Sequence, residues 1–335
     1  MRKIVSAIPE SMIAVCLDDT GMLTHRNMPV PRPGAGEVLI KMSAAPVNPS
    51  DLARIKHAKG TSDQIKMTPG LEGSGKVIEH GKGLLPMIWQ GRRVVCSPSY
   101  PLNGTWAEYL VTAASRCMPL PSAISDEQGA MLLVNPLTAV AFIKIANAHR
   151  HKAFVNTAAA GSLGRMTERI ASLQRKPVIN IVHNQKQKDE LLEKGSKYVI
   201  DSSKENFREE LSEMANHLNA TLFLDAIGGS MTRELLLAAP AGSTVMIYGN
   251  LSSAQPEIDH RSLVTDNKKV TGFLLTNWLK EISPLQMLDS IIRARKLLKN
   301  DFTIPVNERF PLTEAQIAVN TYLAGMSKGK VLLVS

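Results

Sequence analysis

Residues 154–165 constrain this chain more than any other stretch. Phe154 and Val155 close a short apolar run. Thr157, Ala158, Ala159, Ala160 and Gly161 form a turn of small residues, and Leu163, Met166, Ile170 and Leu173 then recur at helical spacing. The order is strand, tight turn, helix. The spacing Ala158-x-x-Gly161-x-x-Gly164 lets the backbone come close to a pyrophosphate and points the first N–H groups of the helix, at the positive end of its dipole, toward that anion. Alanine stands where such turns usually open with glycine. A packed strand–helix turn without a ligand would need the same small residues, so the surrounding chain decides between the two.

That surrounding chain alternates. Strands are expected over 177–182, 198–201, 221–225, 244–248 and 270–275, with helices over 185–194, 204–217 and 230–239. Apolar strands separated by such helices pair in parallel through right-handed crossovers, and both faces of the sheet are covered. The pattern predicts a doubly wound dinucleotide-binding domain. At the end of its second strand the chain reads His183-Asn184-Gln185-Lys186-Gln187-Lys188, with no acid until Asp189. An NAD site usually offers a carboxylate there to the ribose hydroxyls, whereas a 2′-phosphate calls for neutral or basic groups. NADPH is the expected cofactor, with His183, Asn184 and Lys186 as its contacts.

The chain has 335 residues, enough for two domains with separate cores. Its net charge of +9 requires an anionic partner to be considered. The basic residues are scattered apart from short clusters at 186–188 and 293–299, and no aromatic stacking platform accompanies them. Nucleic acid is therefore not expected, and a phosphorylated cofactor or a thioester carrier accounts better for the charge. Cys16, Cys96 and Cys117 can build neither a disulfide framework nor a four-cysteine zinc lobe, which points to a reducing compartment. No stretch reads as a signal peptide or a membrane span, so a cytoplasmic protein with no membrane partner is expected.

The first 120 residues read differently, with short β-rich runs over 13–17, 37–44, 73–80, 93–97 and 107–111 and turns rich in Pro and Gly. A mainly antiparallel β-domain fits them. At the other end, helical spacing over 284–298 and 313–323 leads into a closing strand over 329–334.

Several motifs then fall in one order: Pro33-Gly34-Ala35-Gly36-Glu37-Val38, Val47-Asn48-Pro49-Ser50-Asp51, Pro69-Gly70-Leu71-Glu72-Gly73, Gly91-Arg92-Arg93-Val94, Gly104-Thr105-Trp106-Ala107-Glu108 and Asn135-Pro136-Leu137-Thr138-Ala139. In this the chain resembles the medium-chain dehydrogenases/reductases over nearly its whole length. The resemblance implies an α/β protein: a GroES-like β-barrel catalytic domain over 1–123 and 279–335, and a doubly wound Rossmann NADP-binding domain over 124–278. Zinc-dependent members bind catalytic metal through a cysteine near 48–51 and a histidine where Leu71 stands. Asn48, Ser50 and Leu71 offer neither thiolate nor imidazole, and Glu72 alone cannot make a three-ligand site, so no metal is expected.

The segments 244–252, 270–279 and 178–182 are similar to those of zinc-free 2-enoyl thioester reductases, and quinone oxidoreductases share much of this background. The resemblance implies an NADPH-dependent oxidoreductase that reduces an α,β-unsaturated thioester or carbonyl by hydride transfer without metal. An NADPH:quinone oxidoreductase and a cofactor-binding protein without catalysis are the alternatives. Enoyl thioester reductases keep a tyrosine shortly before the Pro69-Gly70 region, and no tyrosine stands between Asp51 and Pro69 here. Thr61 and Ser62 are hydroxyls in about that place, though much weaker acids than a phenol. With Asn48 they form the expected catalytic set. For cofactor binding the resemblance adds Asn135, Thr138, Tyr248, Gly249, Asn250, Phe273, Leu274, Leu275 and Lys330 to the turn residues Ala158, Gly161, Ser162, Leu163 and Gly164. It also implies a homodimer formed by edge-to-edge pairing of the strand over 270–275.

Overall fold

Alternating apolar positions punctuated by Pro and Gly make strands in the first third of the chain. In the computed structural model, which describes residues 8–61, 67–99, 103–298 and 302–335, β1 (Ser11–Leu17) and β2 (Leu23–Pro29) pair antiparallel. A seven-stranded sheet holds β3 (Glu37–Pro46), β4 (Gly73–His80), β5 (Arg93–Cys96) and β7 (Cys117–Pro119) side by side, with β6 (Tyr109–Ala113) on the free side of β3. After Val134 the chain alternates, with β8 (Ala153–Asn156), β9 (Val178–Val182), β10 (Tyr198–Asp201), β11 (Ala220–Asp225), β12 (Thr244–Ile247) and β13 (Lys269–Gly272) separated by helices. The tail adds β14 (Val306–Pro311) and β15 (Lys330–Val334), and β15 pairs antiparallel with β3.

The chain divides into two compact units, Met1–Val134 with Thr303–Ser335, and Asn135–Phe302; the sequence reading places these boundaries at 123/124 and 278/279. Residues 124–134 stay with the first unit because Arg93 pairs with Asp126 at 2.9 Å and Glu72 binds the N–H groups of Leu133 and Val134. Helix Pro284–Lys296 stays with the second, where Lys144 pairs with Asp289 at 2.9 Å. In the first unit Val15, Leu17, Val47, Trp106, Tyr322 and Leu333 pack into one core.

In the second unit all six strands are parallel, in the order β10-β9-β8-β11-β12-β13. Strand order reverses between β8 and β11, and ligands of such sheets bind beyond the carboxyl ends at that point. The strand expected over 270–275 is shorter. Among the described residues β13 pairs only with β12, over Lys269–Gly272, and Phe273 N–H makes one further bond, to the Ile247 carbonyl. Leu275 then starts the helix Leu275–Glu281. Helix Val134–Ala148, absent from the sequence reading, is buried on nearly every side, from Asn135 and Pro136 to Ile143 and Ala146. Burial all round leaves no amphipathic stripe to read.

Candidate active site

The turn after β8 lies at the switch point of the sheet. Thr157 is buried there; its hydroxyl donates to the Leu224 carbonyl at 3.0 Å and accepts from the Ala226 N–H at 2.8 Å, tying the ends of β8 and β11 together. Ala158 takes a φ of +50°, a left-handed conformation that costs an L-residue about 1–2 kcal/mol and that glycine adopts freely. The side chain departs from the glycine pattern while the backbone keeps it. Gly161 precedes helix Ser162–Leu173 in an extended conformation. A Cβ on Gly164 would lie 2.6 Å from both the Cα and the carbonyl oxygen of Ala159, so close packing of helix on turn demands that glycine. The first intrahelical bond runs from Arg165 N–H to Gly161. The N–H groups of Ser162, Leu163 and Gly164 therefore have no acceptor within the helix, and Gly161, Ser162 and Leu163 are only half-buried.

At the same end of the sheet, Tyr248, Gly249 and Asn250 follow β12, and Phe273 and Leu274 follow β13. Phe142 lies between the rings of Tyr248 and Phe273, with centroids at 4.8 Å and 4.9 Å. Thr138 stands one turn before Phe142 and Asn135 nearly another, both largely buried. Gly249 lets the backbone pass Ala226, whose carbonyl oxygen would be 2.7 Å from an added Cβ. Burial, and then the negative charge of Asp225, raise the pKa of Tyr248, so its hydroxyl keeps its proton at neutral pH. Asp225 itself organises the neighbouring loop, accepting from Ile227 N–H, Gly228 N–H and the Thr232 hydroxyl. Sequence reasoning misses both Thr157 and Asp225; a Thr or Asp closing an apolar run is the only signal that points to them. A cavity of about 770 Å³ opens beside the aromatic group, lined by Val140, Ile143, Phe273, Leu274 and Trp278 but not by the small-residue turn.

The segment after β9 carries the predicted phosphate contacts. Asn184 Oδ1 accepts from Gln187 N–H at 3.0 Å and caps helix Gln185–Glu193, so its oxygen is already engaged. His183 N–H donates to Gln187 Oε1 at 3.1 Å, and both the His183 and the Lys186 side chains are exposed. Lys188 instead faces Glu210 at 3.6 Å.

The first unit builds a polar site of another kind. Asn48 ends the loop after β3 and precedes helix Pro49–Ala58, whose Asp51 Oδ2 accepts from Asn48 N–H at 2.9 Å. Asn48 Nδ2 donates to Glu72 Oε1 at 3.0 Å, and Lys330 Nζ donates to Asn48 Oδ1. Glu72 Oε2 accepts from the N–H groups of Leu133 and Val134, both at 2.9 Å. Asn48, Asp51 and Glu72 are each 1% exposed and Lys330 is 3% exposed. Burial raises Asp51 to about 7, against the pull of the Asn48 N–H. Burial also raises Glu72 and lowers Lys330, while the opposite charges of the cluster oppose both shifts. Ser50 Oγ and Asp51 Oδ1 are buried with no hydrogen-bond partner among the described residues.

The fold thus brings Asn48 and Lys330 together inside the first unit, although Lys330 is expected among the cofactor contacts. Thr61 Oγ1 donates to the Ala58 carbonyl at 2.7 Å, closing the helix before it; Ser62 lies outside the described residues. Among the described residues no three His, Cys, Asp or Glu side chains converge to hold a metal, and Cys16, Cys96 and Cys117 are free and buried. No helix among them is long and apolar enough to cross a membrane.

Comparison with known proteins places these features. An alcohol dehydrogenase GroES-like domain model matches residues 34–122, and a zinc-binding dehydrogenase model matches residues 162–290. The chain is 28% identical over 323 residues to the mitochondrial enoyl-[acyl-carrier-protein] reductase of Bos taurus, covering 94% of this chain and 86% of that one. A solved structure described as a candidate NADPH:quinone reductase from Mesorhizobium loti is 29% identical with a TM-score of 0.89, covering 98% and 100% of the two chains. The complex of Etr1p with NADP and crotonyl-CoA, at 20% identity, shares the fold with a TM-score of 0.79 over 97% of this chain and 100% of that one. Both matched models, the sheet order and the motif series lead to one conclusion: the chain belongs to the medium-chain dehydrogenase/reductase family and is an oxidoreductase.

Proposed function

We propose that the protein is an NADPH-dependent reductase acting without metal on an α,β-unsaturated thioester or carbonyl. The observation that carries this reading is the cradle after β8, where Ala158 holds a glycine-like backbone and the N–H groups of Ser162, Leu163 and Gly164 stand ready for a pyrophosphate. His183 and Lys186 supply positive charge and a donor for a 2′-phosphate, and the Asn184 amide nitrogen remains for the same task. Tyr248, Gly249, Asn250, Phe273, Leu274 and Leu275 border the nicotinamide end, with Asn135 and Thr138 behind them. The bound cofactor would supply the hydride. Asn48 Nδ2 carries two hydrogens, and Glu72 takes one of them; we assign the Asn48 amide to the substrate carbonyl, with Ser62 and with Thr61 once its hydroxyl turns from the Ala58 carbonyl. The similarity to an enoyl-[acyl-carrier-protein] reductase over 94% of the chain favours the thioester.

Quinone reduction is the second reading, and the missing tyrosine between Asp51 and Pro69 favours it, since a quinone needs no carbon-bound proton delivered at one face. A protein that binds NADPH without turnover is the third. Turnover of a crotonyl thioester, a simple enone and a quinone with NADPH and excess chelator separates them. Reduction of the thioester is expected; turnover of the quinone alone, or of none, would overturn the first reading.

We also propose a homodimer and a reducing, cytoplasmic setting. Among the described residues β13 pairs on one side only, and Leu274 beyond it is 59% exposed, which leaves a sheet edge suited to an isologous contact. Sedimentation should find a dimer at micromolar concentration, and a monomer there would refute it.

A further inference from the structure

We propose that helix Leu84–Trp89 and the basic residues around it, in a chain whose lack of a spanning stretch leads to the expectation of no membrane partner, form a peripheral docking surface for an anionic lipid bilayer. The helix reads Leu-Leu-Pro-Met-Ile-Trp and turns only Pro86 and part of Trp89 inward. Leu84 is 71% exposed, Met87 55%, Ile88 41% and Leu85 40%. Single exposed leucines are ordinary, but four apolar side chains adjoining on one short helix make a patch that needs a partner. The patch is firmly held. Trp89 Nε1 donates to the Ala114 carbonyl at 3.0 Å, and the chain beyond it latches onto β4 through Gly91 N–H to Val77 and Val77 N–H to Arg92.

Charge identifies the partner. Lys82 precedes the helix and Arg92 follows it, the Arg92 guanidinium 5.9 Å from the centre of the Trp89 ring; Arg116 lies on the turn Ala114–Arg116 that anchors Trp89. All three are exposed. From His80 to Ser125 the sequence contains a single acid, Glu108, whose carboxylate accepts from Ile13 N–H at 2.7 Å. The bordering acids are engaged too, Glu79 with Arg32 at 2.9 Å and Glu37 with Gly34 N–H at 2.9 Å. An apolar tip with a cationic collar is complementary to the boundary of headgroups and acyl chains in an anionic leaflet. A two-fold contact between copies at this patch would bring Lys82, Arg92 and Arg116 toward their own duplicates, which argues against self-association here.

The test is co-sedimentation of the full chain with vesicles of phosphatidylcholine alone or with roughly 30% phosphatidylserine. Partition at least about tenfold stronger into the anionic vesicles is expected, weakening as salt is raised. Leu84→Ser, Met87→Ser and Ile88→Ser together should reduce it by more than about tenfold, and Lys82→Glu with Arg92→Glu by about fivefold or more per charge. Both variants should keep the circular dichroism and NADPH affinity of the unmodified protein. Leu84→Trp gives an independent readout, because its emission should shift to the blue on adding anionic vesicles. Equal partition into both vesicle types, or an unshifted emission, would overturn the proposal. So would binding to polyglutamate without binding to vesicles, which marks an acidic protein partner, or an oligomer that the triple serine variant dissociates, which marks a second copy.

Discussion

In the unit formed by Met1–Val134 and Thr303–Ser335 the polar site consists of buried charged side chains around the Asn48 amide, whereas in Asn135–Phe302 it consists of backbone N–H groups at a half-open turn. The first arrangement holds two carboxyl groups and one ammonium around a single amide, so removing any member leaves an uncompensated charge or an orphaned donor. The second relies on close approach and backbone conformation, with the exposed Lys186 supplying positive charge nearby in the sequence. Two consequences follow. Side-chain substitutions should act chiefly on stability in the first unit and chiefly on ligand affinity in the second, and pH should act mainly on the first.

The largest effect is expected from Lys330→Met. The variant removes the donor to Asn48 Oδ1 and the cation that offsets Glu72 and Asp51, and breaking a buried pair from one side costs about 3–5 kcal/mol. Denaturant unfolding should register the loss; a change under about 1 kcal/mol would mean that water reaches the cluster and that the contrast between units is false.

Next comes the pH dependence. The folded pKa of Asp51 is raised to about 7 from an unfolded value near 3.9. A carboxyl shifted upward contributes stability that is fully present below the unfolded value and is lost as pH rises through the folded one. Stability should therefore fall between about pH 4 and pH 8 by up to a few kcal/mol, with Glu72, also raised, acting in the same sense. Asp51→Asn should flatten the profile above pH 5. An unchanged slope in that variant would assign the dependence to another group.

In the second unit, Lys186→Glu should weaken NADPH binding and spare NADH. A charge-assisted contact of about 1.5–3 kcal/mol corresponds to roughly a tenfold to hundredfold change in dissociation constant. Thermal stability should not move, since Lys186 is exposed. Equal losses for both cofactors, by calorimetric titration, would contradict the assignment of the segment after β9.

The smallest effect is expected from Ala158→Gly. Relief of the left-handed alanine gains about 1–2 kcal/mol, and the added freedom of the unfolded chain removes about 0.5–1 kcal/mol of it. A net gain of at most about 1.5 kcal/mol, with NADPH affinity nearly unchanged, would show that the backbone rather than the side chain forms the cradle. A loss of stability would show that the alanine methyl is needed for packing.

How legible each site is depends on sequence distance. Ala158, Gly161 and Gly164 fall within seven residues, so their turn and helix can be read from residue types and spacing alone. The cluster of the first unit draws Asn48, Glu72 and Lys330 from a loop, a strand entrance and the last strand, and no spacing rule joins positions that far apart. In sequence Glu72 reads only as a metal ligand, yet its carboxylate takes the N–H groups of Leu133 and Val134, far from it along the chain. The residues after Gly272 look like more strand for a related reason, because the length of β13 follows from where β12 stops pairing.

Residue types and local periodicity by themselves determined that this chain has a parallel, doubly wound unit opening on a turn of small residues, and β-rich segments before and after it in the sequence. Both rest on contacts between near neighbours, where helix and strand periods and small-residue turns are set by local sterics. Only the tertiary structure decided that Lys330 points inward, that Asp51 titrates near neutrality, and that Leu84 and Met87 face water. Those properties depend on how much solvent reaches each group, and solvent access is fixed by segments distant in sequence closing over one residue and leaving another bare.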